Sequence, residues 1–186
     1  MELAQERLEG IQPGQIEWAT GWAHVLSGRG AEAAESLEAL ATREKLGFED
    51  RQPRVLVHAA EACLAADRFR DARGYAERAL ALARERGERG HEAYALRVLA
   101  EIIALRHLAE TEAAAAHYDA AIALATELGM RPLLARARLT LAGACRRTGD
   151  VSRATDELAA AGALFRDLGM RFWLARAEEE GSSRGR

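Results

Sequence analysis

The chain has 186 residues, of which 49% are hydrophobic and 30% are charged, and its formal net charge is −3. This composition suits a folded domain and argues against intrinsic disorder. The absence of a basic excess argues against a nucleic-acid partner, and no apolar stretch is long enough to span a membrane. Without a signal-peptide pattern or a disulfide framework, the sequence predicts a cytoplasmic protein.

A repeat of about 40 residues is the main feature of the sequence. Four apolar segments end on a glycine, and the spacings between these glycines are 40, 42 and 40 residues: Gly47, Gly87, Gly129 and Gly169. Glycine directly after an amphipathic run is a helix C-cap signal, because it enters the left-handed conformation at little cost. Prolines lie just upstream of new helical runs, where their missing N–H does no harm: Pro13, Pro53 and Pro132.

Each repeat divides into two helices at a polar break, and the breaks fall at 27–30, 66–68, 107–110 and 148–150. Apolar residues recur at three- and four-residue spacing, as in Leu134, Ala137 and Leu141, which indicates helices with one buried face. The sequence therefore predicts an all-α domain over residues 1–180. Its predicted parts are four helix-turn-helix hairpins at about 11–47, 48–87, 88–129 and 130–169, a final helix at 171–180, and a disordered tail at 181–186.

The segment 3–10 has two interpretations. It resembles the end of another second helix with its closing glycine, in which case the chain begins on half a repeat and is a fragment of a larger protein. An ordinary N-terminal capping helix explains the same residues equally well.

Small residues recur at fixed offsets within the hairpins. In the fourth hairpin the pattern consists of Leu141-Ala142 in the first helix, Gly149-Asp150 at the turn, and Ala154, Leu158 and Ala161 in the second helix. This pattern resembles tetratricopeptide repeats, in which an A and a B helix cross too closely for larger side chains. The units depart from the family by running to about 40 residues rather than about 34, so their helices should be longer. The resemblance implies an α-solenoid, a right-handed superhelix whose A helices line the concave groove.

A narrower resemblance lies near the C-terminus. The strings Leu128-Gly129-Met130-Arg131-Pro132-Leu133 and Leu168-Gly169-Met170-Arg171-Phe172-Trp173 are similar to the C-terminal repeats of certain bacterial signalling proteins. Those proteins fuse a class III adenylate/guanylate cyclase domain to an ATPase module and a tetratricopeptide array. This resemblance implies the regulatory repeat region of such a protein. The alternative is the sensor or oligomerisation region of a bacterial transcription regulator, whose DNA-binding domain would lie outside this chain.

The sequence holds no constellation of residues that predicts catalysis. None of the histidines forms a His-Glu-x-x-His pair, and each is interpreted as a surface or half-buried residue: His24, His58, His91, His107 and His117. The string Ser27-Gly28-Arg29-Gly30 lacks the ending of a P-loop and predicts a hairpin turn. Cys63 and Cys145 fall at one repeat position and are predicted to be small buried residues. The expectation is a non-enzyme with no cofactor and no metal.

The groove-facing positions that the family resemblance implies supply the candidate binding site. The residues expected to contribute most are Trp18, Trp22, Arg54, Tyr94, Arg97, Arg136 and Arg147, and the same faces carry Val25, Val57, Glu61, Glu101, Leu139 and Arg146. Aromatic residues and arginines dominate interface energies, so the groove should take a protein or peptide with an acidic end. In the alternative interpretation, Trp18 and Trp22 only pack against a missing upstream repeat. Self-association through the repeat ends is a second partner hypothesis. The predicted function is a non-catalytic protein-interaction scaffold.

Overall fold

The structure, a computed structural model, describes residues 15–42, 52–106 and 111–182. These ranges contain nine α-helices and no strand. The helices are α1 (Gln15–Leu26), α2 (Gly30–Thr42), α3 (Gln52–Ala65), α4 (Phe69–Glu85), α5 (Arg89–Arg106), α6 (Thr111–Glu127), α7 (Arg131–Arg147), α8 (Val151–Asp167) and α9 (Arg171–Ser182). Odd-numbered helices are called A helices below, and even-numbered helices B helices. The predicted all-α fold of four hairpins plus a final helix is confirmed.

The chain divides into two compact units, Met1–Ala83 and Arg84–Arg186, and each is described by itself below. Unit 1 contains α1 to α3 and nearly all of α4, and unit 2 contains α5 to α9. The single domain predicted over 1–180 stays a prediction. None of the helices in the described ranges is both long and apolar enough to cross a membrane.

Residues with positive φ close the helices where the repeat predicts them. The φ angles are 67° at Gly87, 64° at Gly129 and 66° at Gly169, which is the left-handed region that glycine enters without steric cost. Gly47 lies outside the described residues. In the turn between α3 and α4, the residue with positive φ is Asp67 rather than a glycine. Its φ is 58°, and aspartate tolerates this region better than most side chains.

The turn between α7 and α8 shows why the chain reverses there. Asp150 is the N-cap of α8, and its carboxylate accepts a hydrogen bond from the Arg153 backbone N–H at 3.0 Å. Pro132 lies in the first turn of α7, where no N–H is needed. The Asp150 cap, together with Gly149 at a φ of 83°, places the hairpin turn at 148–150, as predicted from the sequence.

Alanine-rich crossings form the core of both units. In unit 1 the fully buried positions include Ala59, Ala60, Ala72, Ala76 and Ala79. In unit 2 the clusters hold Ala100, Ala114, Tyr118, Leu141 and Ala154 around one crossing, and Ala135, Ala161, Phe165 and Ala177 around the next. Small side chains at these points allow the helix axes to approach closely, as the repeat register predicts.

Two exposed ion pairs repeat the antiparallel register of the hairpins in unit 2. Arg89 at the start of α5 donates to Glu127 at the end of α6 at 2.7 Å, and Arg131 at the start of α7 pairs with Asp167 at the end of α8. Hydrogen bonding from Arg89 lowers the pKa of Glu127. Because these pairs are exposed, they contribute little stability and mainly mark equivalent positions.

The final helix is longer than the sequence predicts. It runs to Ser182, two residues beyond the predicted end at 180 and into the predicted tail. Gly181 lies against Leu158, and the Ser182 hydroxyl donates to the Glu178 carbonyl oxygen at 2.8 Å. These two contacts explain why Gly181 and Ser182 continue the helix. The predicted segments 3–10, 107–110 and 183–186 lie outside the described residues.

Candidate functional site

In unit 1 the two predicted tryptophans share one face of α1 and pack on the neighbouring A helix, α3. Trp18 and Trp22 are four residues apart and half-buried. Their ring centroids lie 5.3 Å and 4.5 Å from that of His58, and the guanidinium carbon of Arg54 lies 4.5 Å from the Trp18 ring centroid. The last distance is within cation–π range. These ring contacts join both tryptophans to the downstream repeat.

Beneath the tryptophans, α3 carries a buried polar pair. The His58 Nδ1 lies 3.0 Å from the Glu61 Oε2, and the two side chains are 9% and 6% exposed. Pairing offsets the cost of removing both polar groups from water. We call Trp18, Trp22, Arg54, His58 and Glu61 the tryptophan–histidine cluster. Packing of the rings on this pair holds the two indoles in place.

Three predicted groove positions turn out to be buried. Val57 and Glu61 on α3 are covered, and the side chain of Arg97 on α5 is only 1% exposed. His58 is also buried, which corrects its interpretation as a surface or half-buried residue. Its spacing to Glu61, three residues along the otherwise apolar stretch Val55–Ala65, is the signal that could have identified a buried pair.

The flank of α5 that carries Arg97 faces the neighbouring helices. Arg97 donates to Glu101 on the next turn at 2.9 Å, and Tyr94 packs on the cluster formed by Ala93, Ala125 and Leu133. On the neighbouring helix α6, burial raises the pKa of the Tyr118 hydroxyl, and the nearby Glu101 carboxylate raises it further. Arg97 is therefore not a surface cation, which corrects its assignment to the groove. Tyr94 stays at the edge, half-buried.

In unit 2, too, an arginine and a tryptophan of adjacent A helices meet, but here the arginine lies on the earlier helix, whereas in unit 1 it lies on the later one. The guanidinium carbon of Arg136 on α7 lies 4.7 Å from the Trp173 ring centroid on α9, and that of Arg176 lies 5.8 Å from it. Beneath them, the Phe165 ring stacks on Trp173 with centroids 6.2 Å apart. The sequence did not identify Trp173 or Arg176 as site residues, although Arg176 lies one 40-residue repeat after Arg136.

The C-terminal end of α7 carries two arginines in different states. Arg146 donates to the Glu180 carboxylate on α9 at 3.1 Å and to the Glu180 carbonyl oxygen. Arg147 is exposed and forms no ion pair within the described parts of the chain. A Cβ at Gly143 would lie 3.5 Å from the Arg147 Nη1 and 3.6 Å from the Glu180 Oε1, so both groups lie beside this glycine. We call Arg136, Trp173 and Arg176 the arginine–tryptophan cluster.

The cysteines have the environment of packing residues. Burial, and then the neighbouring Glu38 carboxylate, raises the pKa of Cys63 to about 12, and its thiol donates to the Glu38 Oε1 at 3.5 Å. Burial likewise raises the pKa of Cys145. Both thiols are free and buried, as their repeat position predicts. In residues 15–42, 52–106 and 111–182, no group of three or more His, Cys, Asp or Glu side chains is placed to hold a metal ion.

Alkylation should separate these buried thiols from reactive ones. Because the thiolate is the nucleophile, a raised pKa and burial should leave Cys63 unmodified by iodoacetamide at pH 8 in the native protein. In denaturing urea both cysteines should react fully, and mass spectrometry of the peptides gives the extent at each. Rapid native modification of Cys63 would contradict the described packing of α3.

Comparison with known proteins identifies the fold. No protein-family model matches this sequence, and no curated protein is similar to it. Among solved structures, the crystal structure of aspartyl phosphate phosphatase F from Bacillus subtilis is similar, with a TM-score of 0.67 and 14% sequence identity. The match covers 89% of this chain, which spans 43% of that protein's chain. At this identity the likeness shows the fold alone, and the chain has a tetratricopeptide-like helical-repeat fold.

Proposed function

We propose that the chain is a non-catalytic scaffold that binds other proteins through the A-helix faces of its units. The observation that carries the proposal is that each unit has an arginine of one A helix lying over a tryptophan of the adjacent A helix, although the order of the two along the chain differs. The distances from guanidinium carbon to ring centroid are 4.5 Å for Arg54 and Trp18, and 4.7 Å for Arg136 and Trp173. Tryptophan and arginine are the residue types most enriched at interface hot spots.

The setting of these side chains supports a binding role. The tryptophans are half-buried, so each keeps an accessible edge while its other contacts hold it in place. Side chains that are already ordered lose less conformational entropy when a partner binds. The B helix α4 differs, since its outer positions include an ion pair between the half-buried Arg73 and the exposed Glu77, and the exposed Arg78. Surface ion pairs of that kind favour solubility more than recognition.

A more specific role follows from the likeness near the C-terminus. We propose that the scaffold is the regulatory repeat region of a larger bacterial signalling protein acting in the cytoplasm. The support is the similarity of residues 128–133 and 168–174 to the repeats of cyclase–ATPase fusion proteins. The phosphatase activity in the name of the similar structure belongs to that protein, and this chain spans only 43% of it. For this chain we propose no catalytic activity, and stoichiometric ATP binding in calorimetry would contradict that.

The scaffold proposal can be tested by capturing a partner and then mapping its site. A partner recovered from a lysate of the source organism with the full chain should bind Trp22→Ala at least about 2 kcal/mol more weakly if it uses unit 1, as hot-spot truncations do. For a partner that uses unit 2, Arg136→Gln should have the corresponding effect. Titration by calorimetry measures both.

Two control variants make the mapping interpretable. Trp22→Phe keeps an aromatic ring against His58 and should retain much of the affinity, which separates lost contact from lost folding. Arg78→Gln, on the exposed face of α4, should leave the affinity unchanged. If Arg78→Gln abolished binding while the A-helix variants bound normally, the scaffold would use its B helices and the proposed site would be wrong.

A further inference from the structure

The arginine–tryptophan cluster combines residues of successive repeats at one point of unit 2. Arg136 and Arg176 are 40 residues apart and occupy equivalent repeat positions, and both guanidinium groups lie within 6 Å of the Trp173 ring centroid, at 4.7 Å and 5.8 Å. Phe165 beneath the ring and Phe172 at its edge hold the indole, with centroid distances of 6.2 Å and 5.3 Å. The result is an indole held by two aromatic rings, with two guanidinium groups close to it.

The helix that carries Arg136 is rich in arginine. The α7 helix carries five arginines and no carboxylate: Arg131, Arg136, Arg138, Arg146 and Arg147. Arg131, Arg138 and Arg146 form ion pairs with Asp167, Glu157 and Glu180 of the neighbouring helices, respectively. Arg147 and Arg176 are exposed and form no ion pair with any residue that the structure describes. The neighbouring carboxylate Glu180 already pairs with Arg146.

We infer that the arginine–tryptophan cluster binds an acidic segment of a partner protein. The inference rests on the proposed scaffold function and specifies the partner's chemistry. Side-chain carboxylates of the segment accept hydrogen bonds from Arg136 and Arg176, since guanidinium forks match carboxylates in a bidentate geometry. An apolar side chain between the carboxylates packs on Trp173, which supplies contact area at little cost in conformational entropy.

The surroundings favour separate carboxylates over a nucleic acid. Glu178 and Glu179 are exposed on α9, and the whole chain has a net charge of −3. A nucleic-acid strand carries a phosphate at every nucleotide, so its backbone would meet these carboxylates as well as the arginines. A peptide can place its few negative charges opposite the arginines only. A protein segment with two or three acidic residues is therefore the matching ligand.

Selection from a random peptide library displayed on phage tests this chemistry without a known partner. The bait is the full chain, and the selected peptides are expected to be enriched in Asp and Glu. A synthetic peptide of the enriched sequence should bind the double variant Arg136→Gln/Arg176→Gln at least about tenfold more weakly than it binds the parent chain. Added salt should weaken binding to the parent chain more than binding to the double variant. The control Arg166→Gln, an exposed arginine on α8, should bind like the parent.

The outcomes distinguish this inference from the scaffold proposal. Enriched peptides without acidic residues, peptides that bind the double variant as tightly as the parent, or no enrichment at all would each overturn the inference. Partner capture and mapping with Trp22→Ala would still decide the scaffold proposal independently. Tighter binding of single-stranded oligodeoxythymidine than of the selected peptide, lost in the same double variant, would reassign the cluster to nucleic acid. Circular dichroism of each variant confirms that it is folded.

Discussion

Replacing Gly30 by alanine is expected to destabilise unit 1 by about 3 kcal/mol, at the upper end of overpacking effects. Gly30 begins α2 and is buried against the end of α3. A Cβ there would lie 2.3 Å from the Ala65 carbonyl oxygen and 2.5 Å from its carbonyl carbon. These are backbone atoms, which cannot rotate away as a flexible side chain would, so the two helices must separate. Urea unfolding followed by circular dichroism measures the loss.

A second glycine provides the matched control. Gly74 lies inside α4, and a Cβ added to it would have no heavy atom within 4 Å. Gly74→Ala should therefore stabilise the chain by about 0.5–1 kcal/mol, because alanine loses less backbone entropy in a helix. The two substitutions are chemically identical and are expected to act in opposite directions. If Gly30→Ala unfolded at the same urea concentration as the parent, the described contact between α2 and α3 would be wrong.

Replacing Phe165 by alanine should cost unit 2 about 3–5 kcal/mol, the usual loss for a buried phenylalanine. Phe165 on α8 is 0% exposed and lies among Ala135, Ala161 and Ala177, whose small side chains cannot fill the cavity. The same substitution removes the ring that supports Trp173 from below. Thermal or urea unfolding gives the loss of stability, and Trp173 emission should shift to longer wavelength as the indole becomes more solvated.

Phe172 tests the same chemistry on the surface. It is 46% exposed on α9, and its ring meets Trp173 edge to face at 5.3 Å. Phe172→Ala should cost about 1 kcal/mol or less, since it loses one aromatic pair and little burial. Equal losses for Phe165→Ala and Phe172→Ala would show that the core of this hairpin is assigned to the wrong face of α8.

The features that were predictable from the sequence are those that the backbone fixes locally. Gly129 and Gly169 close helices because no other residue enters the left-handed region so cheaply, and that preference is visible in the sequence alone. Ala72 and Ala76 are buried because a small residue must lie where two helices cross closely. Such signals repeat with the chain, so the hairpins and their crossings follow from spacing.

The orientation of the A helices toward their neighbours was not predictable in this way. Successive residues of an α-helix point about 100° apart, since 3.6 residues make a turn, so a small rotation moves a side chain from an open face to a covered flank. Arg97 was predicted to face a groove and instead lies buried beside Glu101. The angle between successive hairpins decides such cases, and hydrophobic periodicity does not contain that angle. Arg176 could have been found by adding one repeat to Arg136.

The most direct test of the central claim is hydrogen exchange measured by mass spectrometry on the complex between the full chain and a captured partner. If the A helices form the binding surface, amides near the tryptophan–histidine cluster on α1 and α3, or near the arginine–tryptophan cluster on α7 and α9, should exchange more slowly in the complex. Peptides from the B helices α2, α4, α6 and α8 should exchange at their free rates. Protection confined to the B helices, with α1, α3, α7 and α9 unchanged, would contradict the claim.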